Sequence, residues 1–62
     1  VSNDVLEHLS HKIKDDREGL TEQLARGLVK DHADYLHVVG RISALDAIYA
    51  EIKDIQIELE KE

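Results

Sequence analysis

Asp4, His8, His11 and Asp15 recur at steps of four, three and four residues, so on a helix they would share one face. Imidazole and carboxylate side chains in that order could form a weak two-histidine metal site. The same four residues also describe a solvated polar face opposite Leu6, Leu9 and Ile13, and that is the reading adopted, with no metal expected. His32 and His37 stand five apart and would diverge on a helix, so they make no pair. The two-histidine metalloprotease spacing with an intervening glutamate is missing.

Other reactive side chains are equally unassembled. Ser2, Ser10 and Ser43 lack a glycine-rich elbow and a histidine–carboxylate arrangement around them. Gly19, Gly27 and Gly40 are isolated, so no phosphate loop is present. Glu51, Asp54, Glu58 and Glu62 form an acidic stripe at helical spacing. Paired carboxylates catalyse when burial splits their pKa values, whereas these are expected to face water. Tyr35 and Tyr49 are read as amphipathic core residues whose hydroxyls reach the rim. The chain is therefore expected to be no enzyme and to have no catalytic residues, no cofactor and no small-molecule substrate.

Composition supports that exclusion. Sixty-two residues make one small domain, 1–62, at the low end of what buries a core unaided. Cys, Met, Phe, Trp and Pro are absent, leaving Leu, Ile, Val and Ala as the apolar content, with abundant charged residues. This reads as all-α. Eight basic against fourteen acidic residues give a net charge of −6, which argues against nucleic acid and anionic membrane as partners. No signal peptide or transmembrane run is evident. The first residue is Val1 rather than Met, which reads as processing or as a fragment.

The elements follow from periodicity and stop signals. Ser2, Asn3 and Asp4 are candidate caps for a first helix over about residues 4–26, with Asp4 and Glu7 at capping-box spacing. Val5, Leu6, Leu9, Ile13, Leu20 and Leu24 form its apolar stripe. Gly19 weakens the middle, but Ile13 and Leu20 are seven apart and stay in phase, so a continuous helix is predicted. Gly27 followed by Leu28 reads as a C-terminal glycine stop, and Asp31 with Asp34 as a new start. A turn over 27–30 then joins a long helix over about 31–61. One unbroken helix through Gly27 is the alternative.

The second helix carries a heptad seam of Tyr35, Val38, Ile42, Leu45, Tyr49, Ile52 and Leu59, interrupted by Gln56 and flanked by Val39, Ile48 and Ile55. A fold-back about Leu28 and Val29 pairs levels whose residue numbers add to about 57, by the short-loop rule for antiparallel helices. Gly19 and Gly40 then fall at similar heights, which predicts close backbone approach there. The second helix overhangs the first, leaving Ile55, Ile57 and Leu59 without a partner in the chain. An antiparallel helical hairpin with so wide an apolar face is expected to assemble into a bundle, as a homo-oligomer or on a larger protein. Ile48, Tyr49, Ile52, Ile55 and Leu59 are the expected contact residues.

Leu24, Gly27, Asp31, Tyr35, Gly40, Ile42 and Leu45, in "LARGLVKDHADYLHVVGRISAL", resemble a group of small helical proteins encoded by tailed bacteriophages. That group is marked by a leucine-plus-glycine turn, an acid separated from a tyrosine by three residues, and a glycine-x-isoleucine step. Ala44 stands where a second glycine is expected. The resemblance covers residues 24–45 and implies a phage product associated with the virion, at the capsid or head–tail region, or located in the host cytoplasm. The function expected is a structural or interaction module working by helix packing. The alternative is a small acidic inhibitor that binds a basic site on a host protein.

Overall fold

A computed structural model describes residues 2–61, apart from the side chain of Ser2. Two helices, α1 (Ser2–Ala25) and α2 (His32–Lys61), pack against each other as an antiparallel hairpin. Helix α1 runs through Gly19 without a break. It starts two residues before the expected position, so Asp4 lies in the first turn rather than at the cap. There its carboxylate still opposes the positive end of the helix dipole. The cap proposed at Ser2 lies outside the described side chains.

The turn is built by local chemistry. Gly27 has φ 69°, a conformation that costs other residues about 1–2 kcal/mol. Its N–H donates to the Leu24 carbonyl at 3.1 Å, and the Leu28 N–H donates to the Gln23 carbonyl at 2.9 Å. These two bonds are the Schellman closure that satisfies carbonyls left over at a helix end. The apolar clasp that often accompanies it is missing, because Leu28 is 62% exposed. Helix α2 begins with a reciprocal cap. The Asp34 N–H donates to Asp31 Oδ1 at 2.8 Å, and the Lys30 N–H donates to Asp34 Oδ2 at 3.1 Å.

The helices meet along a seam with strict three- and four-residue steps. From α2 it takes Val38, Ile42, Leu45, Tyr49, Ile52 and Gln56, with Val38, Ile52 and Gln56 buried and the rest half-buried. From α1 it takes Leu6, Ser10, Ile13, Arg17, Leu20 and Leu24, with Ser10 and Leu20 buried. This differs from the apolar stripe read in the sequence. Val5 and Leu9 stand outside the seam at 57% and 43% exposure, and Ser10 replaces Leu9 within it. Helical phase decides the matter: Ser10 is in step with Leu6 and Ile13, whereas Leu9 lies about 60° to one side.

Contacts across the seam join residues whose numbers add to 59 at Asn3–Gln56 and 63 at Arg17–Asp46, beyond the expected value near 57. Side chains lean toward the N-terminus of their own helix. In an antiparallel pair that lean shifts both contacting residues to higher numbers, and a long arginine shifts most. The predicted close approach at Gly19 and Gly40 is not present. An added Cβ at either meets nothing within 4 Å.

The hairpin measures 48 × 15 × 13 Å with a radius of gyration of 14.4 Å, against about 10.6 Å for a compact domain of this length. Its accessible surface is 4865 Å², about 800 Å² more than the roughly 4,100 Å² of an average folded monomer of this mass. Among the described residues only Leu20, Val38 and Ile52 are buried apolar residues. No helix among the described residues is long and apolar enough to cross a membrane.

Candidate functional site

Seam geometry sorts every other side chain onto one of two flanks or the outer faces. Two helices that face each other in opposite directions present the same rotational sense to the same side. On one flank stand Asp46, Lys14 and Lys53, each about 60–80° from the seam centre of its helix. Arg17, itself on the seam, reaches over to this flank and donates through Nε to Asp46 Oδ1 at 2.5 Å and through Nη2 to Oδ2 at 3.4 Å. Lys53 Nζ lies 5.2 Å from the Tyr49 ring centroid. This flank carries two polar pairs, beside the exposed Tyr35 and Ile57 at offsets of about 60° and 100°.

The opposite flank is apolar. Leu9 and Val5 of α1 fall there, as do Ile48, Ile55 and Leu59 of α2, at helical offsets of about 60–100° from the seam. Their exposures are 43%, 57%, 47%, 47% and 36%. At the register fixed by Asn3–Gln56, Leu9 lies level with Ile48 and Val5 with Ile55. They make one patch in the half of the hairpin away from the turn. Lys12 and Asp16 of α1, and Arg41 and Glu51 of α2, edge the same flank by helical phase. All four are exposed, and among the described residues none joins an ion pair.

The expected contact residues divide accordingly. Ile48, Ile55 and Leu59 lie on the open flank, while Ile52 is 7% exposed within the seam. Tyr49 is half-buried on the seam and faces the polar flank, beneath Lys53. Val5 and Leu9, which the sequence pattern places in the core, stand on this open flank instead. The signal lay in their phase: together with Leu6 and Ile13 they make four apolar positions on α1 that cannot all point at one neighbour.

Side chains considered for chemistry stay apart. His11 Nε2 lies 3.9 Å from Glu7 on the exposed side of α1, and His32 stacks on Tyr35 with centroids 6.1 Å apart. Among the described residues no three metal-ligating side chains converge. Ser10 Oγ donates to the Glu7 carbonyl at 2.8 Å, the backbone bond of an idle helical serine. A groove of about 230 Å³ is lined by Ile13, Lys14, Arg17, Asp46 and Tyr49. It is below the usual size of a small-molecule site, and two of its charges are spent on each other. Glu51, Asp54 and Glu58 are exposed on α2; Glu62 lies outside the described residues.

No family model, curated protein or solved structure matches this chain.

Proposed function

We propose that this chain is a non-enzymatic interaction module that works by helix–helix packing, with the flank of Val5, Leu9, Ile48, Ile55 and Leu59 as its contact surface. The observation that carries this reading is the clustering of those five large apolar side chains on one side of a hairpin whose other side carries the Arg17–Asp46 and Lys53–Tyr49 pairs. Covering a half-exposed side chain of this kind yields about 1 kcal/mol, roughly half the figure for complete burial. A hairpin with three buried apolar residues among those described has need of that contribution. The resemblance over residues 24–45 supports a setting in a tailed-phage particle, at the capsid or head–tail region, or in the host cytoplasm. The partner is then a further copy of the chain or a larger phage protein.

Sedimentation over a concentration series, with helicity followed in parallel, tests the reading. Association or a gain of helicity with concentration is expected, and Ile55→Glu should remove it. An isolated chain that stays monomeric, compact and cooperatively folded at high dilution would overturn it.

A second reading rests on the acidic face of α2. Glu51, Asp54 and Glu58 are exposed and among the described residues unpaired, as an inhibitor occupying a basic site on a host protein would require. Binding of that kind weakens steeply with salt, whereas packing through the apolar flank does not.

A further inference from the structure

Resting on the helix-packing reading, we infer that the occupant of the apolar flank is a second copy of this chain. The two hairpins lie parallel about a two-fold axis along their length, so that α1 of each copy crosses onto α2 of the other and four helices form a closed bundle.

Two observations single out this occupant and this orientation. The first is area. The hairpin exposes about 800 Å² more than a compact monomer of its mass, and about 800 Å² is what each partner buries in an interface of standard size. One further hairpin supplies that cover. The second is charge. A two-fold axis along the hairpin sets α1 against α2 of the second copy in the same antiparallel sense and register as within the chain. Leu9 then meets Ile48 and Val5 meets Ile55, their numbers adding to 57 and 60, beside the 59 and 63 of the intrachain pairs. Asp16 falls on Arg41 of the second copy and Lys12 on Glu51 of the second copy, each twice by symmetry. All four are exposed and unpaired among the described residues. Each of these four charges thereby meets its opposite.

The other isologous arrangement, with the hairpins antiparallel, fits poorly. Its axis must cross the centre of the apolar patch, near the level of Ile52. That places Glu51 against Glu51 of the second copy and overlaps only the half of each flank away from the turn. Like charges set together across an interface oppose association.

Charge exchange tests the arrangement without touching the seam. One variant carries Lys12→Glu with Asp16→Arg, and the other carries Arg41→Asp with Glu51→Lys. Each variant alone sets like charges together at all four places, and its dimer should weaken by at least about tenfold relative to the parent. An equimolar mixture restores opposite charges throughout, so a dimer containing one chain of each kind should form. Helicity at matched concentration checks that both variants keep the hairpin. A mixture that associates no better than its components overturns the orientation, as does undiminished association of either variant alone. In both cases association of the parent chain leaves the helix-packing reading standing. A parent chain that gains helicity without self-association, and only on meeting a different protein, overturns the second copy but again not that reading.

Discussion

Asn3 and Gln56 stand fifty-three residues apart in the chain, and the Gln56 amide donates to Asn3 Oδ1 at 3.3 Å. Gln56 is 9% exposed and occupies a seam position that a purely apolar design would give to leucine. The pair sits where α1 begins, so it fixes the level at which the two helices end against each other. Polar groups in such seams set register and lower stability. Gln56→Leu is therefore expected to raise the thermal midpoint, by about 1 kcal/mol in stability, because Asn3 is exposed and can turn to water. Thermal unfolding followed by circular dichroism at fixed chain concentration measures it; concentration must be held because association shifts the midpoint. A lower midpoint would show that the amide pair contributes more than the apolar replacement.

The three glycines should respond with opposite signs. Gly27 holds φ at 69°, so Gly27→Ala strains the backbone and should cost about 1 kcal/mol or more. Gly19 and Gly40 sit in helix interiors where an added Cβ meets nothing within 4 Å. Gly19→Ala and Gly40→Ala should each stabilise by about 0.5–1 kcal/mol through the unfolded state and helix propensity. For a domain of this size that amounts to a rise of roughly 3–8 °C in the thermal midpoint. Destabilisation at Gly40 would point to a neighbour that approaches it in the assembly.

Much of the hairpin was legible in the sequence, and the misses share a cause. Gly27 and Asp31 announce the turn because a left-handed glycine and a carboxylate cap are local chemistry, decided within a few residues. The middle of the α2 seam was legible because six of its positions keep a three–four rhythm and all but Gln56 are apolar. Tyr35 and Leu59, read as its two ends, stand 44% and 36% exposed outside it because nothing described in α1 reaches them. On α1 the same rhythm passes through Ser10 and Arg17, and hydrophobicity alone chose Leu9 and Val5 instead. Which of two apolar rows faces the neighbouring helix is a tertiary question. It is answered by the partner's position, as is the choice of Asp46 by Arg17. The open flank was foreseen as surplus apolar surface on α2, but its α1 half was not.

Leu20 should be the most sensitive apolar position on α1. It is 5% exposed and packs against α2 near the turn end of the seam. Leu20→Ala is expected to cost about 2–5 kcal/mol, comparable to the whole stability of so small a core. The variant should lose cooperative unfolding at concentrations where the parent retains it. Leu28→Ser, at a site 62% exposed, is the control and should leave the midpoint within about 2 °C, an effect of under about 0.5 kcal/mol. A comparable loss at Leu28 would place that side chain in an interface.

Arg17 and Asp46 form the one ion pair across the helices among the described residues. Their side chains are 46% and 53% exposed, and pairs so accessible typically contribute about 0.2–1 kcal/mol. A double-mutant cycle with Arg17→Ala and Asp46→Ala should return a coupling in that range, with most of it gone in 1 M salt, where the screening length is about 3 Å. The singles should differ from each other. Arg17 stands on the seam and lines one groove with Ile13 and Tyr49, so truncating its long aliphatic stem should also remove packing. Asp46 offers only its carboxylate. Arg17→Ala should therefore destabilise more than Asp46→Ala, and that excess should persist at high salt. Equal losses that vanish together with salt would reduce Arg17 to a surface charge and remove it from the seam.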